Sequence, residues 1–197
     1  TLDALLRFLE DCEDLPIRDR VAAFDNDGTL WCERPSYVQL DFFIEALQRA
    51  VALDPHLSER PEYAALLTQN SQAIGELGLE RIALALAELC AGQSPEDFGG
   101  QVREFMGQAR HRTLDVPLSA TVYQPMLELL DELRRRDFTI FIVSGGGTEF
   151  VRAISDDLYG VPAQNVVGTM IAYEFSRDEA GRPQLRRTAD VQGVANE

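Results

Sequence analysis

The chain has 197 residues, enough for one core domain and a small insertion, and 45% of them are hydrophobic, which excludes intrinsic disorder. No apolar run reaches the roughly 18 residues that a membrane span needs. A net charge of −15 argues against a nucleic-acid backbone or an anionic membrane as partner. It does not argue against a phosphate ester, whose recognition depends on local donors and a cation.

In chain order, the first strong signal is Val21-Ala22-Ala23-Phe24, an apolar run that reads as a buried parallel strand. It runs directly into Asp25-Asn26-Asp27-Gly28-Thr29. Ligands of open α/β sheets bind at the carboxyl ends of the strands, and here two carboxylates two residues apart reach that edge, with Gly28 allowing a sharp exit. Such a pair can divide labour. One carboxylate attacks, the other moves a proton, and both help to hold a hard cation. Asn, Asp and Gly also build ordinary surface turns, so spacing alone leaves both readings open.

The stretch that follows is helical in pattern. Tyr37 to Leu53 carries Leu40, Phe43, Ile44 and Leu47 at helical spacing, and Leu77 to Cys90 is a second such run. Ser94-Pro95-Glu96-Asp97 has a capping-box signature with Pro at the first helical position, and Phe98, Val102, Phe105 and Met106 continue the period. Pro117 marks the return to the core, and Tyr123 to Arg136 predicts the helix before a second buried strand, Phe138 to Val143.

That strand ends in Ser144-Gly145-Gly146-Gly147, where a hydroxyl and backbone N–H groups sit as strand passes into helix. Such a turn suits an anionic oxygen. Alone it is also a plain Gly-rich connection, and it lacks the Lys-Ser/Thr ending of a nucleotide-binding loop. Asp156-Asp157 falls on a solvated helix surface, and Arg152 reads as a surface pair, with phosphate the alternative. Beyond Val166-Val167 a hairpin is expected from Met170 to Arg186, turning near Glu179 to Pro183. Arg186 and Arg187 read as exposed strand residues, and Thr188 to Glu197, including Asp190, as a polar tail. His56 and His111 read as surface or cap residues. Three cysteines, at 12, 32 and 90, form no framework and fit reduced thiols, with Cys32 packed rather than functional. A cytoplasmic setting follows, although a chain beginning at Thr1 leaves a removed leader open.

With both strand ends in view, the chain resembles the haloacid dehalogenase superfamily, and within it the phosphoserine-phosphatase-like hydrolases. The resemblance rests on Phe24-Asp25-Asn26-Asp27-Gly28-Thr29-Leu30, on Ile142-Val143-Ser144-Gly145-Gly146, and on Tyr159-Gly160-Val161-Pro162 through Val166-Val167-Gly168. It implies an α/β fold, a Rossmann-like parallel-sheet core (residues 1–32 and 119–197) with an inserted all-helical cap (33–118). It implies Asp25 as the nucleophile that becomes an aspartyl phosphate and Asp27 as general acid and then base. Ser144, Gly145, Gly146, Gly28 and Thr29 would surround the phosphoryl group. Mg²⁺ would sit between Asp25 and the backbone carbonyl of Asp27. Glu33 stands at the cap entrance as a substrate contact or a surface charge, with Arg34 and Tyr37 beside it. The substrate would be a small phosphorylated metabolite, with phosphoserine one candidate; a phosphotransferase uses the same nucleophile.

Two family motifs are not legible. The charge-balancing Lys is absent because all 18 basic residues are Arg, and no later apolar strand ends in an acidic cluster. The expectation is therefore that about the last third of a typical member lies outside this chain. A catalytically incomplete binding or regulatory relative is the alternative, and a chain complete as given is expected to be inactive.

Overall fold

The two apolar runs that flank the helical stretch pair with each other. In the computed structural model, which describes residues 2–193, β1 (Val21–Phe24) lies parallel to β2 (Thr139–Gly147), with Val21 opposite Thr139 and Phe24 opposite Ile142. β2 in turn lies parallel to β3 (Val166–Arg177), and β3 turns back antiparallel into β4 (Pro183–Gly193). The result is a mixed four-stranded sheet in the order β1-β2-β3-β4. The α/β class is as expected. No helix among the described residues is long and apolar enough to cross a membrane.

Helices cover this sheet and fill the long connection between β1 and β2. α1 (Leu2–Asp11) precedes β1, and the connection carries α2 (Val38–Leu53), α3 (Pro61–Leu67), α4 (Ser71–Leu77), α5 (Leu79–Leu89) and α6 (Pro95–Gln108). α7 (Gln124–Arg135) leads into β2, and the short α8 (Thr148–Arg152) and α9 (Ser155–Tyr159) link β2 to β3. The cap expected for α6 forms as read: the Ser94 hydroxyl oxygen accepts the Asp97 N–H at 3.0 Å, with Pro95 at the first helical position.

Two cores organise the packing. The larger joins β2 residues Ile140 and Ile142 to Val38 and Phe42 of α2, Phe98, Val102 and Phe105 of α6, and Phe150 of α8. Phe42 is its hub, fully buried, with ring centroids of Phe98, Phe105 and Phe150 each 5.6 Å away. Burying one such ring is worth about 1.5–3 kcal/mol, so α2 and α6 are anchored beside α8. A smaller core of Leu47, Tyr63, Leu66, Ile82 and Ala85 holds the far half of α2 against α3 and α5.

Several expectations need correction. β1 is half-exposed rather than buried, with Val21 54% exposed, because it is an edge strand and no described strand pairs with its other side. β2 runs on through Gly147, so the glycines are extended before α8 begins. The hairpin is longer than read and takes in Thr188 and Asp190, which therefore do not lie in a tail; Val194 to Glu197 fall outside the described residues. Arg187 is buried at 4% exposure, since α6 and α8 both cover that point of β4. Arg152 donates to the Val166 carbonyl at 3.2 Å instead of pairing with a charge. His56 is exposed, but His111 is buried, its Nε2 2.5 Å from the Arg34 carbonyl oxygen and its Nδ1 facing the Leu114 N–H at 3.2 Å. The three cysteines are unpaired: Cys12 and Cys90 are buried, and Cys32 is half-buried. Burial pushes the Cys90 thiol up to about 11 despite the nearby Arg187 charge.

Candidate active site

Because β1 and β2 are adjacent and parallel, their carboxyl ends open side by side. The register that sets Phe24 against Ile142 carries Asp25 to Asp27 past the end of β1 next to Ser144 on β2. The chain then folds back on itself. Thr29 and Leu30 donate their N–H groups to the Asn26 carbonyl at 3.3 and 2.9 Å, and the Gly28 N–H reaches the Trp31 carbonyl at 3.0 Å. Gly28 sits at φ +76°, a conformation that an L side chain adopts only with strain. A Cβ there would also stand 3.1 Å from Cδ of Glu33, so the Glu33 carboxyl lies directly over this turn.

Each of the two carboxylates has a partner. The Thr29 hydroxyl donates to Asp25 Oδ2 at 3.1 Å. The indole N–H of Trp31, a fully buried side chain, donates to Asp27 Oδ1 at 2.8 Å. Burial pushes the Asp27 carboxyl above its ordinary value, and the Asp25 and Glu33 charges add to that, while hydrogen bonds from Trp31 and Asn26 oppose it. Desolvation is thus the larger cause, and the neighbouring anion only assists.

On the β2 side, Ser144 is buried and its hydroxyl oxygen accepts the Gly146 N–H at 3.0 Å, which leaves its O–H free to donate. Asp27 Oδ2, Ser144 Oγ and the Gln39 side-chain oxygen all converge on Gly146, lying 3.9, 3.3 and 3.0 Å from where a Cβ would be. The geometry therefore gathers Asp25, Asp27, Gly28, Thr29 and Glu33 on one side and Ser144 and Gly146 on the other. Arg34 points to solvent, its Nε 3.6 Å from Glu33 Oε1, and Tyr37 is 55% exposed. A cleft of about 470 Å³ between α6 and the hairpin, lined by Pro95, Phe175 and Leu185, belongs to a different region of the surface.

Sequence reasoning missed two contacts. Trp31 on Asp27 had a usable signal in its spacing of four residues. Gln39 on the glycine loop had none, because its partner is more than a hundred residues away.

The glycine loop is also held from behind. A Cβ at Gly168 of β3 would stand 2.6 Å from the Gly146 carbonyl oxygen and 3.3 Å from that of Ser144. Backbone cannot swing aside as a side chain can. Gly168→Ala is therefore expected to displace the loop and cost about 1–3 kcal/mol in thermal or denaturant unfolding. Gly100→Ala, in helix α6 with nothing within 4 Å, is the control and should be neutral or stabilising by up to about 1 kcal/mol. Equal melting of the two variants would refute the close-approach argument.

The oxygens at the end of β1 suit a hard divalent cation in kind, since Mg²⁺ is commonly held by one or two carboxylates with water and substrate oxygens completing its shell. Among the described residues no group of three or more His, Cys, Asp or Glu side chains is gathered to hold a metal.

Comparison with known proteins agrees with this architecture. Among solved structures, the chain is similar to a protein of unknown function from Bordetella pertussis Tohama I, with 21% identity over 88% of this chain and 66% of that one and a TM-score of 0.58. At that identity the likeness is one of fold. It also matches a phosphoserine phosphohydrolase-like protein from Francisella tularensis subsp. tularensis SCHU S4, at 21% identity, 83% of this chain, 62% of that chain and a TM-score of 0.39. A third is a probable phosphoserine phosphatase from Vibrio cholerae, at 16% identity, 88% of this chain, 41% of that chain and a TM-score of 0.48. The chain spans less than two thirds of the length of each of these three. No curated protein matches it significantly. The family model for haloacid dehalogenase-like hydrolases matches residues 22–188, from the first residues of β1 into β4, and the chain belongs to that family.

Proposed function

We propose that this protein hydrolyses a small phosphate monoester through Asp25, with Mg²⁺ bound at the end of β1. The observation that carries the reading is the meeting of the Asp25–Asp27 pair with the Ser144 hydroxyl at the ends of two adjacent parallel strands. An oxygen of Asp25 attacks phosphorus, and the ester oxygen departs with a proton from Asp27, leaving phosphate esterified to Asp25. Water then attacks phosphorus, Asp27 takes the proton back, and phosphate leaves with Asp25 restored. Because Trp31 occupies Oδ1 of Asp27, Oδ2, which faces the glycine loop, is the atom that carries the proton. Burial, which favours the neutral carboxyl, supports that role.

Ser144 donates to a phosphoryl oxygen, and the Asp25 carboxylate with the backbone carbonyl of Asp27 would hold the cation. Bound there, Mg²⁺ would offset the repulsion between an anionic nucleophile and an anionic phosphate. The helical stretch 33–118 acts as a cap whose α2 end lies over the glycine loop, excluding water from the bound ester. That placement favours small metabolites over phosphoproteins. The free thiols fit a reducing cytoplasm.

A panel of small phosphomonoesters assayed for phosphate release tests the reading. Turnover is expected with millimolar Mg²⁺, lost on chelation and restored when Mg²⁺ is returned. Release that chelation leaves unchanged would remove the cation from the proposal. No release from any ester would favour a binding or regulatory relative of the family.

A further inference from the structure

Helix α2 begins over the glycine loop, and its first turn is rigidly seated. Val38 is 2% exposed and Phe42, at the centre of the aromatic cluster, is fully buried. Between them Gln39 reaches down to β2, where its side-chain oxygen accepts the Gly147 N–H at 2.9 Å. An N–H can be accepted only by the oxygen of a carboxamide, so this one bond fixes which end of the Gln39 side chain faces which way. The amide nitrogen then retains two N–H donors, and among the described residues it donates to no protein acceptor. It lies so close to the loop that a Cβ at Gly147 would stand only 2.6 Å from it. The amide oxygen itself shares the surroundings of Gly146 with Ser144 Oγ and Asp27 Oδ2.

We infer that Gln39 is a substrate-positioning residue, which donates a side-chain N–H to a phosphoryl oxygen of the bound ester while Gly147 holds its carbonyl end. The inference rests on the phosphatase reading above and deepens it. A neutral donor at this point matches what a phosphate offers, which is acceptor oxygens and no donors when fully ionised. It also ties the helical stretch to the site, because the side chain that touches phosphate is carried by α2 while its anchor is on β2.

A merely structural clamp makes a different prediction, and Gln39→Glu separates the two. A glutamate keeps an oxygen to accept the Gly147 N–H, so a clamp would survive. As a positioning residue it fails, because a carboxylate oxygen replaces the donor and faces an anionic phosphate. Binding of inorganic phosphate in the presence of Mg²⁺, followed by amide-resolved NMR on the protein, is the measurement. Phosphate is expected to shift the Gln39 side-chain NH₂ resonances together with the Gly147 amide. Q39E is expected to weaken phosphate binding by about tenfold or more, a larger loss than Q39A shows. Gly147→Ala, which pushes the amide aside without removing it, should resemble Q39A.

Phosphate binding to Q39E as tight as to the wild type, unmoved Gln39 resonances at saturating phosphate, or no phosphate binding at all would each overturn the inference. If esters turn over in an Asp25-dependent way while Q39E behaves as wild type, only the role of Gln39 falls. If phosphate binds through Gln39 but no ester is hydrolysed, the catalytic reading falls and this one stands.

Discussion

Asp25→Asn is expected to abolish phosphate release, by on the order of 10³-fold or more in kcat, while leaving the fold intact. An amide has the shape of the carboxylate but no anionic oxygen to attack phosphorus. The Thr29 hydroxyl, which donates to Asp25 Oδ2 at 3.1 Å, can donate equally to the amide oxygen, so local geometry is retained. Asp25 is only half-buried, and stability should change by no more than about 0.5 kcal/mol. The companion variant Asp27→Asn reads a different step. It removes the proton needed by the leaving oxygen, so esters of poor leaving groups such as alkyl alcohols should suffer far more than aryl esters. Steady-state kinetics on one ester of each kind, with thermal melting of both variants, makes the comparison. Undiminished turnover in D25N would exclude Asp25 as nucleophile. An equal loss of kcat/KM on both esters in D27N would exclude Asp27 as the acid, because kcat/KM reports only the first transfer, whereas the second step, in which Asp27 is the base, is common to both esters.

The largest stability effect is expected at Arg187. Its guanidinium lies 4.0 Å above the Phe98 ring, and its Nη1 is 3.2 Å from Glu149 Oε2. Its backbone also joins the sheet to the loop after α5, donating to the Gln93 carbonyl at 2.9 Å and accepting from the Gly92 N–H at 2.8 Å. Arg187→Ala removes one member of a buried ion pair and opens a cavity over Phe98. The expected loss is about 3–5 kcal/mol, which for a protein of this size lowers Tm by roughly 6–20 °C. The Nε and Nη1 atoms make no well-directed hydrogen bond, so the pair itself is not optimal. Replacing both members with apolar residues, as in E149L/R187M, should therefore recover most of the loss. A drop below about 1 kcal/mol in R187A would show that Arg187 is not a structural link. Glu149 follows Thr148 at the start of α8, immediately after the glycine loop, so R187A should also reduce turnover.

Much of this was legible in the chain because it is encoded over short distances. Strand β2, helix α6 with its Ser94 cap, helix α7 and the turn of the hairpin follow from periodicity, capping residues and Gly-Pro punctuation, each within a few residues. The family could be read from two short motifs for the same reason. What failed to follow was burial along the strands. Alternation puts Leu185 and Arg187 on one face of β4, yet Leu185 is 47% exposed and Arg187 only 4%. The difference arises because Phe98 of α6 and Glu149 of α8 cover the face at Arg187, whereas Leu185 lines the open cleft beside the start of α6, and the seating of both helices depends on packing around Phe42. β1 is a partial exception: an all-apolar run suits a central strand and an edge strand equally, but the lack of a later apolar strand in the sequence already implied one unpaired edge, and among the described residues the sheet order has β1 at the edge.

The candidate site divides along the same line. The amino-acid sequence determined by itself which carboxylates and which hydroxyl stand at strand ends, since a strand of four apolar residues delivers whatever follows it to the sheet's edge. Tertiary structure alone decided that these ends are neighbours and that Gln39 meets Gly147. Those contacts join residues brought together by the register of parallel strands and by the seating of α2 on the core. A crossover of that length carries no local signal of where its two ends will meet.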